Sequence, residues 1–126
     1  HIVSETFFVS EKEGVCLSEK VFKPIWYMQP FVVFGSAHTL SALRDLGYKT
    51  FDKWIDESYD TIDDQVERFY SAISSIKKFV DQDVETLDEI MKEILPVLEH
   101  NVQVLDHNNE HLYKDFKQSL VDSLGK

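Results

Sequence analysis

Ser18, Glu19 and Lys20 stand side by side just where an apolar helical pattern begins. A helix N-terminus carries unpaired backbone N–H groups and the positive end of the helix dipole, and a lysine beside it adds a full charge aimed at the same spot. That combination suits a phosphate or diphosphate, and Glu19 is placed to hold the hydroxyls of a ribose or a sugar. The plainer reading is a helix capped by Ser18, with Glu19 and Lys20 simply solvated.

Other residues have the right types for chemistry. Glu5, at the end of a strand-like run, would face the ligand crevice if that run belongs to an open α/β sheet, where ligands bind beyond the carboxyl ends of the strands. Water is the alternative neighbour. Asp56, Glu57 and Asp60 surround Ser58 and Tyr59 with oxygen ligands of the kind a divalent cation takes, but a helix-capping or exposed acidic run has the same composition. His107 to His111 spell H-x-x-E-H, the inverted zincin string. A helix would put both histidines on one face, though the surrounding pattern is that of an ordinary amphipathic helix, so no metal site is expected. Cys16 has no histidine close in sequence to activate it, His1 and His38 both standing well away on either side, and reads as a buried or half-buried thiol.

The elements that must position these residues follow from periodicity. Ile2 to Val9 is rich in β-branched and aromatic residues and predicts a strand. Ser10 to Gly14 is a charged loop. Val21, Phe22, Ile25 and Trp26 offer one apolar helix face, which Pro24 and Pro30 keep short. Phe31 to Phe34, bounded by Pro30 and Gly35, reads as an inner strand of a parallel sheet. A helix is expected from about Ala37, with Leu40, Leu43 and Leu46 inward and Gly47 as its C-cap. Tyr48 to Asp60 reads as a packed loop or short helix. Beyond it Ile62, Val66, Phe69, Ile73, Ile76 and Phe79 or Val80 form one continuous apolar stripe. A second helix begins near Val84, is expected to bend at Pro96, and continues its stripe through Val102, Leu105, Leu112, Phe116 and Leu120. Asn101, Asn108 and Asn109 mark a place where it could break.

Composition bounds the rest. The 126 residues, 43% hydrophobic and 29% charged, are enough for one domain with a core and are not those of a disordered chain. A net charge of -10 argues against nucleic acid and anionic membranes as partners. No run is long and apolar enough for a membrane span, and a single cysteine points to a reducing, cytoplasmic setting. The chain opens on His1, directly into a strand-like pattern. A two-stranded parallel sheet is marginal alone, so a missing N-terminal lobe or a homo-oligomer is expected to complete it.

The run S-E-K, Pro24, then Q-P-F-V-V-F-G-S resembles the C-terminal lobe of GT-B glycosyltransferases of the α-1,3-fucosyltransferase type. Leu43, Leu46, Gly47, Thr50 and Phe51, followed by the D-E-S-Y-D element Asp56 to Asp60, are similar to phage and bacterial proteins of that kind. The likeness covers about residues 1–75. It implies that Glu19 and Lys20, with Ser18 in place of the family's usual threonine, contact the ribose and diphosphate of a nucleotide-sugar donor. It also implies metal-independent chemistry that needs no further cofactor. The acceptor-binding lobe and the first strands of the donor lobe are absent, so the chain by itself is expected to be inactive.

Together these readings give an α/β fold class: a partial Rossmann-like parallel sheet of few strands over residues 1–60, and a long all-helical C-terminal extension over residues 61–126, within one domain. The functional expectation is the nucleotide-sugar-binding fragment of a GT-B-like glycosyltransferase. The alternative is a non-enzymatic interaction module, such as a self-associating helical domain.

Overall fold

A computed structural model of the chain describes residues 1–4, 17 and 19–125, apart from the side chains of Leu112, Tyr113 and Phe116. Two short strands, β1 (Ile2–Ser4) and β2 (Val32–Phe34), pair in parallel with Val3 opposite Val33. Between them in sequence lies α1 (Glu19–Trp26), then come α2 (Thr39–Asp45), a 3-10 turn (Ser58–Thr61), α3 (Gln65–Val80) and α4 (Val84–Leu124). The molecule is thus mostly helical, with a two-stranded parallel sheet at its N-terminal side and helices at its C-terminal side. The strand expected from Ile2 is described as far as Ser4; its continuation to Val9, the loop to Gly14 and Cys16 lie outside the described residues.

Short strands need cover on both faces, and the apolar run Phe31 to Val33 receives it. Val3, Phe31, Val32 and Val33 are buried with Val21 and Ile25 of α1, Leu40 and Leu43 of α2, and Phe51, Ile55 and Tyr59 of the following loop. Phe31 meets Phe51 edge to face, with ring centroids 5.2 Å apart, a favoured aromatic arrangement. Tyr48 to Asp60 is indeed a packed loop, closed by the 3-10 turn.

The end of α2 matches its sequence signal. Gly47 has φ 95°, the left-handed region that glycine enters without strain. Its N–H reaches the Arg44 carbonyl, and the Tyr48 N–H reaches Leu43, which is the Schellman pattern.

Two helical expectations need correction. On α3 the fully buried residues are Arg68, Ala72 and Ser75; of the expected stripe, Ile76 and Phe79 are half-buried against the core, whereas Val66 is 63% and Val80 57% exposed. The two-stranded sheet covers only a narrow strip of α3, and Arg68 anchors that strip. Its guanidinium donates to the carbonyls of Gly35 at 2.9 Å, Ile62 at 2.7 Å and Asp63 at 3.0 Å. On α4 the asparagines do not break the helix, which runs unbroken through Pro96 and Asn101 to Leu124. Asn101 is fully buried, and its amide makes a two-point clasp on the backbone of Lys49, accepting from its N–H and donating to its carbonyl, both at 2.8 Å. The helix survives because the polar side chain finds its partners outside it, leaving the helical ladder undisturbed. Leu112 and Phe116, placed on the continuing stripe, lie outside the described side chains.

Candidate functional site

The crossover helix α1 returns to β2 within a few residues of Trp26, so its N-terminal end points to the edge of the sheet where the parallel strands finish. Glu19 and Lys20 form its first turn and both are exposed. Ser18 and Glu5, the other two expected site residues, lie outside the described residues.

Beside α1 a cavity of about 560 Å³ opens between that helix, the turn after α2, and α4. One face of α1 supplies Glu19, Phe22, Lys23 and Trp26, the helical row i, i+3, i+4 and i+7. Tyr27, Leu46 and Tyr48 close one side; Leu105, Asn108 and Asn109 of α4 close the other. Lys20 follows Glu19 directly, and successive helical residues diverge by about 100°, so the geometry puts Glu19 on the cavity rim and Lys20 on the neighbouring face.

Four of the ten described lining residues, Phe22, Trp26, Tyr27 and Tyr48, are aromatic. Phe22 and Tyr48 pack with ring centroids 5.9 Å apart, and the Asn108 amide donates to the Tyr48 hydroxyl at 3.4 Å. Burial pushes the Tyr48 phenol above its ordinary value, partly offset by that hydrogen bond, so it stays protonated at neutral pH. Of the expected apolar face, Val21 and Ile25 fill the core, while Trp26 is 55% exposed. Flat, exposed aromatic surface flanked by a carboxylate and two amides can stack on a planar or ring-shaped ligand and bond its hydroxyls. Phe22 and Trp26 were legible in sequence as part of an apolar helix face, not as a cavity wall. The contribution of Asn108 and Asn109, some 80 residues farther along the chain, had no local signal.

Comparison with protein-family models, with curated proteins and with solved structures returns no match.

The acidic run after this region serves a different purpose. Asp60 is buried, and its carboxylate accepts from the backbone N–H groups of Leu40 at 2.9 Å and Ser41 at 3.2 Å. It therefore caps α2, whose own N-cap residue, His38, sits at φ 65° and makes no side-chain cap. Glu57, also buried, accepts from the Phe51 N–H at 3.1 Å and from the Arg44 guanidinium at 3.3 Å. Arg44 in turn donates to Thr50 at 3.0 Å. Asp56 accepts from the Ser58 N–H at 3.0 Å, an Asx turn, and the Tyr59 hydroxyl accepts from the Val33 N–H at 3.4 Å. These oxygens hold main chain, and among the described residues no group of three or more His, Cys, Asp or Glu side chains is arranged to hold a metal ion.

Burial pushes the Glu57 carboxyl above its ordinary value, and bonds from Thr50, Phe51 and Arg44 pull it back only in part. An acid whose folded-state value is raised binds more protons folded than unfolded, so its share of stability is present at low pH and is lost as pH rises through the folded-state value. Glu57→Gln removes that dependence. In urea unfolding followed by circular dichroism, the stability of the parent relative to this variant should fall as pH rises from about 4 through the weakly acidic range. A difference that grows with pH would contradict the assignment.

Proposed function

We propose that this chain is the nucleotide-sugar-binding C-terminal part of a GT-B-like glycosyltransferase, inactive alone. In this reading β1 and β2 are two neighbouring strands of a larger Rossmann-like sheet, and Glu19 and Lys20 bind the donor at the end of the sheet where those strands finish. The observation that carries it is the seating of Glu19 on the rim of the aromatic-walled cavity, at the positive end of α1 and next to Lys20. An aromatic wall suits a base or sugar ring, the carboxylate suits hydroxyls, and the helix end with Lys20 suits phosphate. No helix among the described residues is long and apolar enough to cross a membrane.

The second reading, a self-associating module, draws on α3. Val66, Tyr70 and Ile73 leave an apolar face exposed, and such faces serve as docking surfaces. One pair of measurements separates the two. GDP or UDP at millimolar concentration should shift the amide resonances of Glu19, Lys20 and Phe22 and raise the melting temperature, with both effects lost in Glu19→Ala and Lys20→Ala. A chain indifferent to both nucleotides, whose sedimentation coefficient rises with protein concentration, is the self-associating module instead.

A further inference from the structure

The most concrete arrangement outside the cavity is on the far part of α4. His107 and His111 are four residues apart on the same helix, both are exposed, and their Nε2 atoms lie 3.0 Å from each other. The rings meet edge to face with centroids 4.4 Å apart. One ring donates to the other across that gap, so at least one Nε2 lone pair already points into it.

We propose that His107 and His111 form a two-imidazole chelate for a divalent transition metal, with Cu²⁺ or Ni²⁺ preferred over Zn²⁺. The preference comes from the bite. Metal–nitrogen bonds of about 2.0–2.1 Å to two nitrogens 3.0 Å apart meet at an angle of about 91–97°. That lies near the right angle of tetragonal and octahedral sites, which Cu²⁺ and Ni²⁺ favour. Tetrahedral Zn²⁺ would need the nitrogens spread to about 3.3–3.4 Å. Both rings bind as neutral imidazoles through Nε2, the shared proton passing by way of water to the Nδ1 of the donating ring, and water fills the remaining positions. Asp115 lies one turn farther along the same helical row, Lys114 lies on the adjoining one, and the overall charge of -10 favours a cation.

Occupancy has a structural consequence. From Asp106 to Gly125 no described side chain of α4 is buried, and only Asn108 is even partly covered. A helical stretch with so little cover among its described side chains is marginal in water. A metal bridging two successive turns binds the helical form and not the unfolded one, and so holds this overhang helical.

The test is a titration of the tag-free chain with NiCl₂, followed by calorimetry and by amide hydrogen exchange. One equivalent should bind, and exchange between residues 106 and 115 should slow. His107→Gln and His111→Gln should each weaken binding by roughly ten-fold or more, because the second ring acts at high effective concentration once the first is engaged. His100→Gln, which removes a ring bonded to the Gly47 carbonyl, should leave binding unchanged. Both key positions are exposed, so circular dichroism of the two variants should match the parent. No saturable binding, or binding that survives either key substitution, overturns the proposal.

Discussion

Replacing Asp60 by alanine should lower the unfolding free energy by about 3 kcal/mol, since it removes charge-assisted hydrogen bonds worth about 1.5–3 kcal/mol and leaves buried donors unpaired. The two donors are the N–H groups of Leu40 and Ser41, and His38 stands at the N-cap position without a side-chain bond. Losing an ordinary N-cap costs about 0.5–2 kcal/mol, and this one should cost more than most, because Asp60 is buried; the backbone bond from the His38 N–H to its carbonyl at 2.7 Å remains in the variant. Against a typical total stability of about 5–15 kcal/mol, that is a large fraction. Asp60→Asn keeps one acceptor and should lose roughly half as much. Urea unfolding at neutral pH checks both. A loss below about 0.5 kcal/mol for the alanine variant, the range of an inert surface change, would show that the carboxylate does not hold α2.

Asp60 also shows where the sequence stops being readable. Its neighbours Asp56 and Glu57 give the run the look of an oxygen-ligand cluster, and nothing local says that its partners are backbone N–H groups some 20 residues upstream. Signals that act within a few residues were legible. The apolar run Phe31 to Phe34 between Pro30 and Gly35, the parallel pairing implied by strand, helix and strand, and the C-cap at Gly47 all reflect local sterics or burial. Helical periodicity was legible for α3, but its phase only in part: Ile76 and Phe79 do pack on the core, Val66 does not. The period reports that an apolar stripe exists; which stripe is covered depends on what stands opposite, and here it is Arg68 and its three carbonyl partners that face inward. The site divides in the same way. Glu19 and Lys20 were visible as charges at a helix start, whereas the cavity beside Glu19 needs α4, whose docking depends on contacts across half the chain.

That docking is the second place where a single side chain should matter most. Asn101→Ala should cost about 2–3 kcal/mol, because it removes two hydrogen bonds worth about 1 kcal/mol each and opens a small void at a buried position. Hydrophobic contacts from Ile94, Leu98 and Leu105 would still hold α4 near α1, so the helix should loosen and not detach. Asn101→Asp gives a sharper result. It preserves an acceptor for the Lys49 N–H but turns the donor facing the Lys49 carbonyl into a second oxygen, in a position 1% exposed, so it should cost more than alanine at neutral pH and recover as the carboxyl is protonated. Thermal unfolding at two pH values measures this directly. The register of α4 also sets where Leu105, Asn108 and Asn109 stand, and these residues form one wall of the cavity. Weaker docking should therefore shrink any nucleotide-induced rise in melting temperature even though Asn101 is not itself a wall residue. An Asn101→Ala chain as stable as the parent would mean that the Lys49 backbone is satisfied equally well by water, and that apolar packing alone fixes the helix in place.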